Sequence, residues 1–437
     1  MQQMTSQPRP TRLWRDATAA ALITFVLSLP VLGYPMLHLN VPWGSGDLIA
    51  HYMSAQAWAP LGFPVSTTFG YPSGIDLAYM PTIDMTQNAF AWVVDAITGS
   101  PYVGLNLLLV LSFPLVAALA VIAFRLVGAR GPMAIALAVA FTFIPYHLDR
   151  GLSHLYPATM YAGATGVILA LWIGLGRTIA GKKQVIAIAI LVLVTGWSGM
   201  YYSAFAIALT LTALAWRWMQ GDGIRRVGRY ALIPISIAGA SLLAFLPGAF
   251  RLITDPPIMN MVERNASESV TLAGNLAQLL TPYSNLNLPI LRSFNATLFE
   301  STTIVGSAAE SDIAGFGTFI TTAALLVFLV GWALRARQGR STHPLPFIAL
   351  LITVGTLFFV PWGAGYLVAG LITPQLRAWG RLSPIGTAAV PGGSGSGARA
   401  DKVEPAEVRC HSSSGHPGDR SRVHRVAIPR HLHPGDR

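Results

Sequence analysis

The chain has 437 residues, 53% of them hydrophobic and only 11% charged, with a mean hydropathy of +0.53 and a formal net charge of +11. Soluble domains carry roughly 25% charged residues, so an ordinary soluble globule is excluded, and apolar runs of about 20 residues predict an all-α, polytopic integral membrane protein. The net positive charge does not point to nucleic acid, because the basic residues of 1–385 sit in short clusters between apolar segments; the single cysteine, Cys410, excludes an internal disulfide framework.

In chain order, nine segments have the composition of membrane spans: roughly 17–37, 102–124, 131–146, 155–176, 184–197, 200–218, 230–250, 313–334 and 345–366. The first follows Arg9, Arg12 and Arg15 and lacks a small-x-small cleavage site, so it reads as a retained signal anchor. Between Arg15 and Arg125 there is no lysine or arginine, while Asp47, Asp76, Asp84 and Asp95 all fall in that gap. The long loop 38–101 is predicted to hold two short amphipathic helices, 46–59 and 84–97, joined by the Gly- and Pro-containing turn FGYPSGIDLAYMP. A second long loop, about 254–311, is polar.

Loop charge orients the bundle. With the N-terminus in the cytoplasm, the inner loops and the N-terminal segment hold 15 Lys and Arg, and the outer loops hold six: Arg150, Arg251, Arg264, Arg292, Arg377 and Arg381. Acidic residues run the other way, with two inside and 11 outside. The bias predicts a cytoplasmic N-terminus and places both long loops on the outer face. From Gly386 the composition changes abruptly to Gly, Arg, His, Pro and Ser, with HPGDR repeated at 416–420 and 433–437. Residues 386–437 read as a disordered tail or as an out-of-frame translation that replaces further spans. The domain division is therefore 1–385 and 386–437.

None of the expected spans carries a charge near its centre, whereas transporters need polar groups at the midplane. Chemistry is expected instead at the outer ends. Asp47, in GSGDLIAHYM, is either a helix cap or a carboxylate base at the membrane surface. Asp84 is a second candidate catalytic carboxylate and Asp76 a candidate substrate contact; both also suit turns or caps. Asp95 is expected on a solvated helix face. In FIPYHLDRGLSHLYPA, His147, Asp149, Arg150 and His154 cluster where the third span ends. His147 and Arg150 share a helix face if the helix continues. An outside arginine runs against the topology bias, and a phosphate ligand or an ion pair with Asp149 or a lipid headgroup would explain it. Arg377 and Arg381 in PQLRAWGRLSP are spaced i, i+4 and are candidates for the same phosphate chemistry. Tyr201 and Tyr202 in WSGMYYS read as interfacial aromatics. No spacing marks a metal site.

This layout, with an aspartate soon after the first span, two amphipathic loop helices and nine or more spans, resembles the GT-C superfamily of membrane glycosyltransferases. The segments YPSGIDL, HLDRGLSHLYPA, LAQLLTPYSNLNLPILRSFNATLFE and RAWGRLSP are similar to those of poorly characterised bacterial members, and the resemblance covers about 1–385. It implies transfer of a sugar from a polyprenyl-phosphate donor to a glycan, lipid or protein acceptor in the envelope. It also implies that Asp47 is the loop-one aspartate that deprotonates the acceptor for inverting transfer. Arg150, Arg377 or Arg381 would hold the donor phosphate. No cofactor is required, because arginines can neutralise a leaving phosphate; a divalent cation is compatible with the same chemistry. Two other readings are a transporter or flippase of a lipid-linked glycan, and a membrane scaffold for envelope assembly.

Overall fold

Where water is absent, a helix is the local structure that satisfies its own backbone N–H and C=O groups, and the apolar runs of this chain fold accordingly. The computed structural model describes residues 10–33, 36, 38–44, 46–57, 65–66, 72, 75–76, 84–129, 131–254, 264–275, 289–290, 293 and 344–382, all within the unit Met1–Gly397. Helix α1 spans Pro10–Leu32 and packs along α4, Val103–Leu126, which is the central helix of the bundle. Helix α4 is apolar on every side, and Leu105, Leu109, Phe113, Val116, Ala120 and Phe124 are all buried. The Arg125 guanidinium pairs with Asp16, so the last turn of α4 lies beside the first turns of α1 and the two helices run antiparallel.

Helix α5, Pro132–Thr142, stops before Pro145 for a local reason. A residue preceding proline is pushed out of the helical region, and Ile144 is extended at φ −62°, ψ 145°. Two short turns follow, α6 (Pro145–Gly151) and α7 (Leu155–Ala158), before α8 (Tyr161–Gly174). Helices α9 (Lys182–Trp197), α10 (Met200–Met219) and α11 (Ile224–Thr254) complete the continuous part. Beyond them lie α12 (Glu268–Thr271), α13 (Leu345–Phe359), α14 (Ala364–Leu371) and a 3-10 turn at Trp379–Leu382.

Among the described residues three helices are long and apolar enough to cross a membrane, Arg12–Leu32, Val103–Leu126 and Ile224–Leu246, and α13 with α14, bent by 55°, would make a fourth. This is fewer than the nine expected spans. Proline and glycine punctuation shortens α5, α8 and α9 to 11, 14 and 16 residues, and the expected span 313–334 lies outside the described residues. The apolar faces of α1 and α11 are left uncovered by the other described residues, with Leu22, Val26, Leu232, Ile235, Leu242 and Leu243 all exposed. Faces of that size suit a protein that associates with a membrane.

The bundle has two chemically distinct ends. At one, Arg217 and Arg226 share Asp222, Arg226 donates to the Gly176 carbonyl at 2.8 Å, and Tyr230 donates to the Arg177 carbonyl at 2.9 Å. Helix α10 runs from there to Gly199, and its 20 residues span about 30 Å. At the far end the loop between α1 and α4 folds into α2 (Asp47–Ala57) and α3 (Met85–Thr98), with β1 (Val65–Ser66) pairing antiparallel with β2 (Ile75–Asp76). The two short helices thus begin within a residue of the expected positions. Asp95 departs from its expected solvated face. Its Oδ1 accepts the Gly104 N–H at 2.6 Å and caps the start of α4.

Asn106, fully buried in the first turn of α4, fixes the path into α2. Its Nδ2 donates to the carbonyls of Leu39 at 2.7 Å and Val41 at 2.8 Å, and its Oδ1 accepts from the Tyr52 hydroxyl. The same hydroxyl accepts the Trp43 N–H at 3.3 Å. Replacing Asn106 by Leu strands these partners in an apolar site. The expected cost is about 1–3 kcal/mol for each buried group left unsatisfied. It would be read as a lower melting temperature in detergent and faster proteolysis between residues 38 and 57; an unchanged melt and digestion pattern would refute the tether.

Candidate functional site

The tethered segment passes α6 closely before turning into α2. A Cβ on Gly44 would lie 1.9 Å from the Leu152 carbonyl oxygen, so only glycine lets the backbone through. Asp47 then opens α2, where the helix dipole favours a carboxylate. Its side chain is 67% exposed, and Oδ2 stands 2.9 Å from His154 Nε2. On the other side of that ring, Arg150 Nη1 lies 3.2 Å from His154 Nδ1. Arginine has only donors, so Nδ1 accepts, and a neutral ring then carries its proton on Nε2, aimed at Asp47. Arg150, His154 and Asp47 therefore form a directed chain of hydrogen bonds.

One helical turn beyond Asp47 lies His51, on the same face. Its ring centroid is 4.0 Å from that of Tyr156, with the planes tilted by 35°. Its Nε2 has no exposed surface and no hydrogen-bond partner among the described residues. Burial pulls its pKa down to about 4, against the nearby Asp47 carboxylate and with the help of the Arg381 cation.

Asp84 arrives from the second loop helix. It occupies the N-cap position of α3 but makes no side-chain capping bond, which removes the bland reading of a helix cap. Its backbone bridges Ser198 in the α9–α10 turn. Gln87, wholly buried, reinforces that junction by donating Nε2 to the Ser198 carbonyl at 3.2 Å. Gly199 has φ +121°, and a Cβ there would lie 3.3 Å from Asp84 Oδ1, so the turn packs tightly against the carboxyl. Enclosure raises the pKa of Asp84 from 3.8 to about 7, and Arg381 opposes that rise. Arg381 itself, in the 3-10 turn, sits over the Tyr201 ring at 4.6 Å from its centroid. The Tyr201 hydroxyl donates to the Gln375 carbonyl at 3.2 Å, which holds the arginine-bearing segment in place.

Asp47, His51, Asp84, His154, Tyr201 and Arg381 thus line one cavity of about 160 Å³. Four of these, Asp47, Asp84, His154 and Arg381, are sequence-expected site residues separated by up to 334 positions. Arg150 belongs to the group through its bond to His154. Three others go elsewhere. Arg377 binds Glu268 at 3.0 Å, a carboxylate it shares with Arg264 at 3.6 Å, so the i, i+4 spacing to Arg381 does not make a phosphate fork. The cause is local: the chain there is a coil and a 3-10 turn, not an α-helix. His147 is wholly buried, stacks on Phe113 at 3.9 Å, donates Nδ1–H to the Thr142 carbonyl and bonds Ser112 through Nε2. Burial takes its pKa down to about 4, and it serves the core. Asp76 lies in β2 opposite Val65. Among the described residues no group of three His, Cys, Asp or Glu side chains could hold a metal ion.

Sequence reading missed His51 and the Ser198–Gly199 turn, and took Tyr201 and Tyr202 for interfacial anchors although both line the cavity. The i, i+4 spacing of Asp47 and His51 was the available signal. No family model matches the chain, and no curated protein matches it. The site must be read from its own chemistry.

The carboxyl of Asp84 gives a pH test. Folded, it keeps its proton to about 7; unfolded, it releases it near 3.8. Between those values the folded state binds more protons, so its stability falls as pH rises through the window. Asn cannot ionise. Asp84→Asn is therefore expected to melt above the parent protein at about pH 8, with the gap closing towards about pH 4. A gap independent of pH would refute the buried titration.

Proposed function

We propose that the chain is a polytopic membrane glycosyltransferase that moves a sugar from a polyprenyl-phosphate donor to a glycan, lipid or protein acceptor at the outer face of a bacterial plasma membrane. The observation that carries this reading is the cavity itself. Two carboxylates and an outside arginine, far apart in sequence, meet at the end of the bundle opposite the Arg217–Asp222–Arg226 cluster. Loop charge assigns that end to the outer face and the N-terminus to the cytoplasm. The resemblance of layout and segments to the GT-C superfamily supports the same assignment.

Transfer needs three things at once. A base must take the proton of the acceptor hydroxyl, a cation must meet the charge that develops on the leaving phosphate, and the sugar must be held between them. Asp47 is the base. The acceptor oxygen attacks the anomeric carbon from the face opposite the phosphate, its proton passes to Asp47, and the bond from that carbon to the phosphate oxygen breaks. The electron pair leaves with polyprenyl phosphate, and the configuration inverts. Arg381 faces the phosphate. The His154 N–H steadies the Asp47 carboxylate, and Arg150 orients His154 as a positioning residue. Asp84, in its ionised form, faces the positive charge that gathers on the sugar ring in the transition state. Residues of the membrane-crossing helices leave the isoprenoid chain an apolar surface.

Asp47→Asn is expected to abolish transfer from a labelled polyprenyl-phosphate sugar in membranes, by 100-fold or more on the scale of about 10²–10⁴ for a general base, with insertion unchanged. Full activity would refute the base assignment. Arg150→Met should lower kcat about tenfold, the scale of one lost hydrogen bond, with KM for the donor held. A rise in KM with kcat preserved would instead make Arg150 a donor ligand.

A further inference from the structure

Buried polar atoms in folded proteins almost always have a partner, so each exception calls for a cause. His51 Nε2 is such an exception, and it belongs to a residue that lines the cavity. The ring is not loose: the Tyr156 ring lies against it, and the Tyr156 hydroxyl reaches the His51 carbonyl at 3.3 Å and the Asn88 side chain. A group held this firmly and left without a partner among the described residues is arranged for a ligand.

We propose that His51 hydrogen-bonds a hydroxyl of the transferred sugar and, with Asp47 one turn before it, sets which sugar the cavity accepts; this rests on the glycosyl-transfer reading above. The chemistry favours an uncharged partner. Arg381 brings positive charge near the ring, and enclosure holds it neutral. An imidazole whose pKa is pulled down to about 4 is a weak base at pH 7 but a good hydrogen-bond group. A hydroxyl both donates and accepts, so it satisfies either tautomer of Nε2. Asp47 and His51 have Cβ atoms about 5–6 Å apart on one helix face, which lets the pair address two hydroxyls of one ring. Tyr201 and Tyr202, also in the lining, offer apolar surface to the carbon–hydrogen face of a sugar. The volume of about 160 Å³ is below the roughly 300–1,000 Å³ of drug-sized pockets, a size for one sugar ring and not for an oligosaccharide.

The test measures binding to the purified full chain in lipid nanodiscs. The probes are polyprenyl phosphate alone and polyprenyl phosphate carrying glucose, galactose, mannose or arabinose. One sugar lipid should bind at least tenfold more tightly than bare polyprenyl phosphate. His51→Phe should remove about tenfold of that sugar's affinity, the size of one neutral hydrogen bond, and leave the bare lipid unchanged. His51→Gln, whose amide reaches the position of Nε2, should recover most of the loss; His51→Asn, which mimics the other nitrogen, should not. If the Phe variant fails to fold, the Gln and Asn variants carry the comparison. Equal weakening of bare polyprenyl phosphate and of the sugar lipid would overturn the proposal and make His51 a phosphate ligand. An unchanged sugar preference in all three variants would overturn it as well. Binding of bare polyprenyl phosphate with no added affinity from any sugar would overturn the role of His51 while leaving lipid-phosphate recognition intact. Failure to bind either kind of lipid would instead sink the functional reading on which the proposal depends.

Discussion

The site depends on a single buried amide. Asn106 is a polar side chain at the start of the apolar central helix of the bundle, and its bonds run to the segment that leads into α2. That segment has no sheet or long helix to hold it. Its carbonyls at Leu39 and Val41 take the amide's two donor hydrogens. With 39–41 fixed, Trp43 reaches the Tyr52 hydroxyl, Gly44 passes Leu152, and Asp47 opens its helix beside His154. The position of the candidate base is thus set by a residue 59 positions away that touches no part of the cavity.

Some of this was legible in the sequence, for reasons that can be named. The two short helices near 47 and 85 follow from apolar spacing and turn residues, both local properties. Asp47 and Arg381 stood out because each breaks a pattern: one sits in a stretch without cations, the other is a cation in a loop that the charge bias predicts to lie outside. What did not show is the meeting of segments. The Ser198–Gly199 turn reads as an ordinary loop until α3 lands on it through Asp84 and Gln87. His147 looked like a site residue beside Arg150 and His154, but the extended backbone at Ile144 starts a new helix and turns the imidazole onto Phe113. Arg377 and Arg381 looked paired because i, i+4 is a helical spacing, and the backbone there is not α-helical. Among the described residues, the helices long enough to cross are fewer than the apolar segments for a related reason. Hydropathy counts apolar residues, whereas crossing length is decided by where prolines and glycines interrupt the helix.

Asp47 and Asp84 show how one cavity gives two carboxyls different chemistry. Asp47 is open at the helix start, held by a histidine N–H and by the dipole of α2. Asp84 is packed against the α9–α10 turn, and loss of water dominates over the opposing field of Arg381. Environment, not residue type, separates their roles, as in other paired-carboxyl sites. Under the proposed reaction the exposed one suits a soluble or mobile acceptor arriving from the aqueous side. The enclosed one suits a charge that appears and vanishes within the cavity.

Arg381 links these arguments. It is carried on a 3-10 turn stitched to Tyr201 through Gln375. It lies over an aromatic face and acts on both Asp84 and His51, lowering the pKa of each. The guanidinium therefore favours an ionised carboxyl and a neutral imidazole in the same small volume. A bound phosphate would draw on that positive field and weaken both effects, shifting Asp84 towards its protonated form and easing protonation of His51. Departure of the lipid phosphate would restore them. The cavity's charge state is in this way coupled to whether a phosphate occupies it, through one arginine that the loop-charge bias alone does not explain.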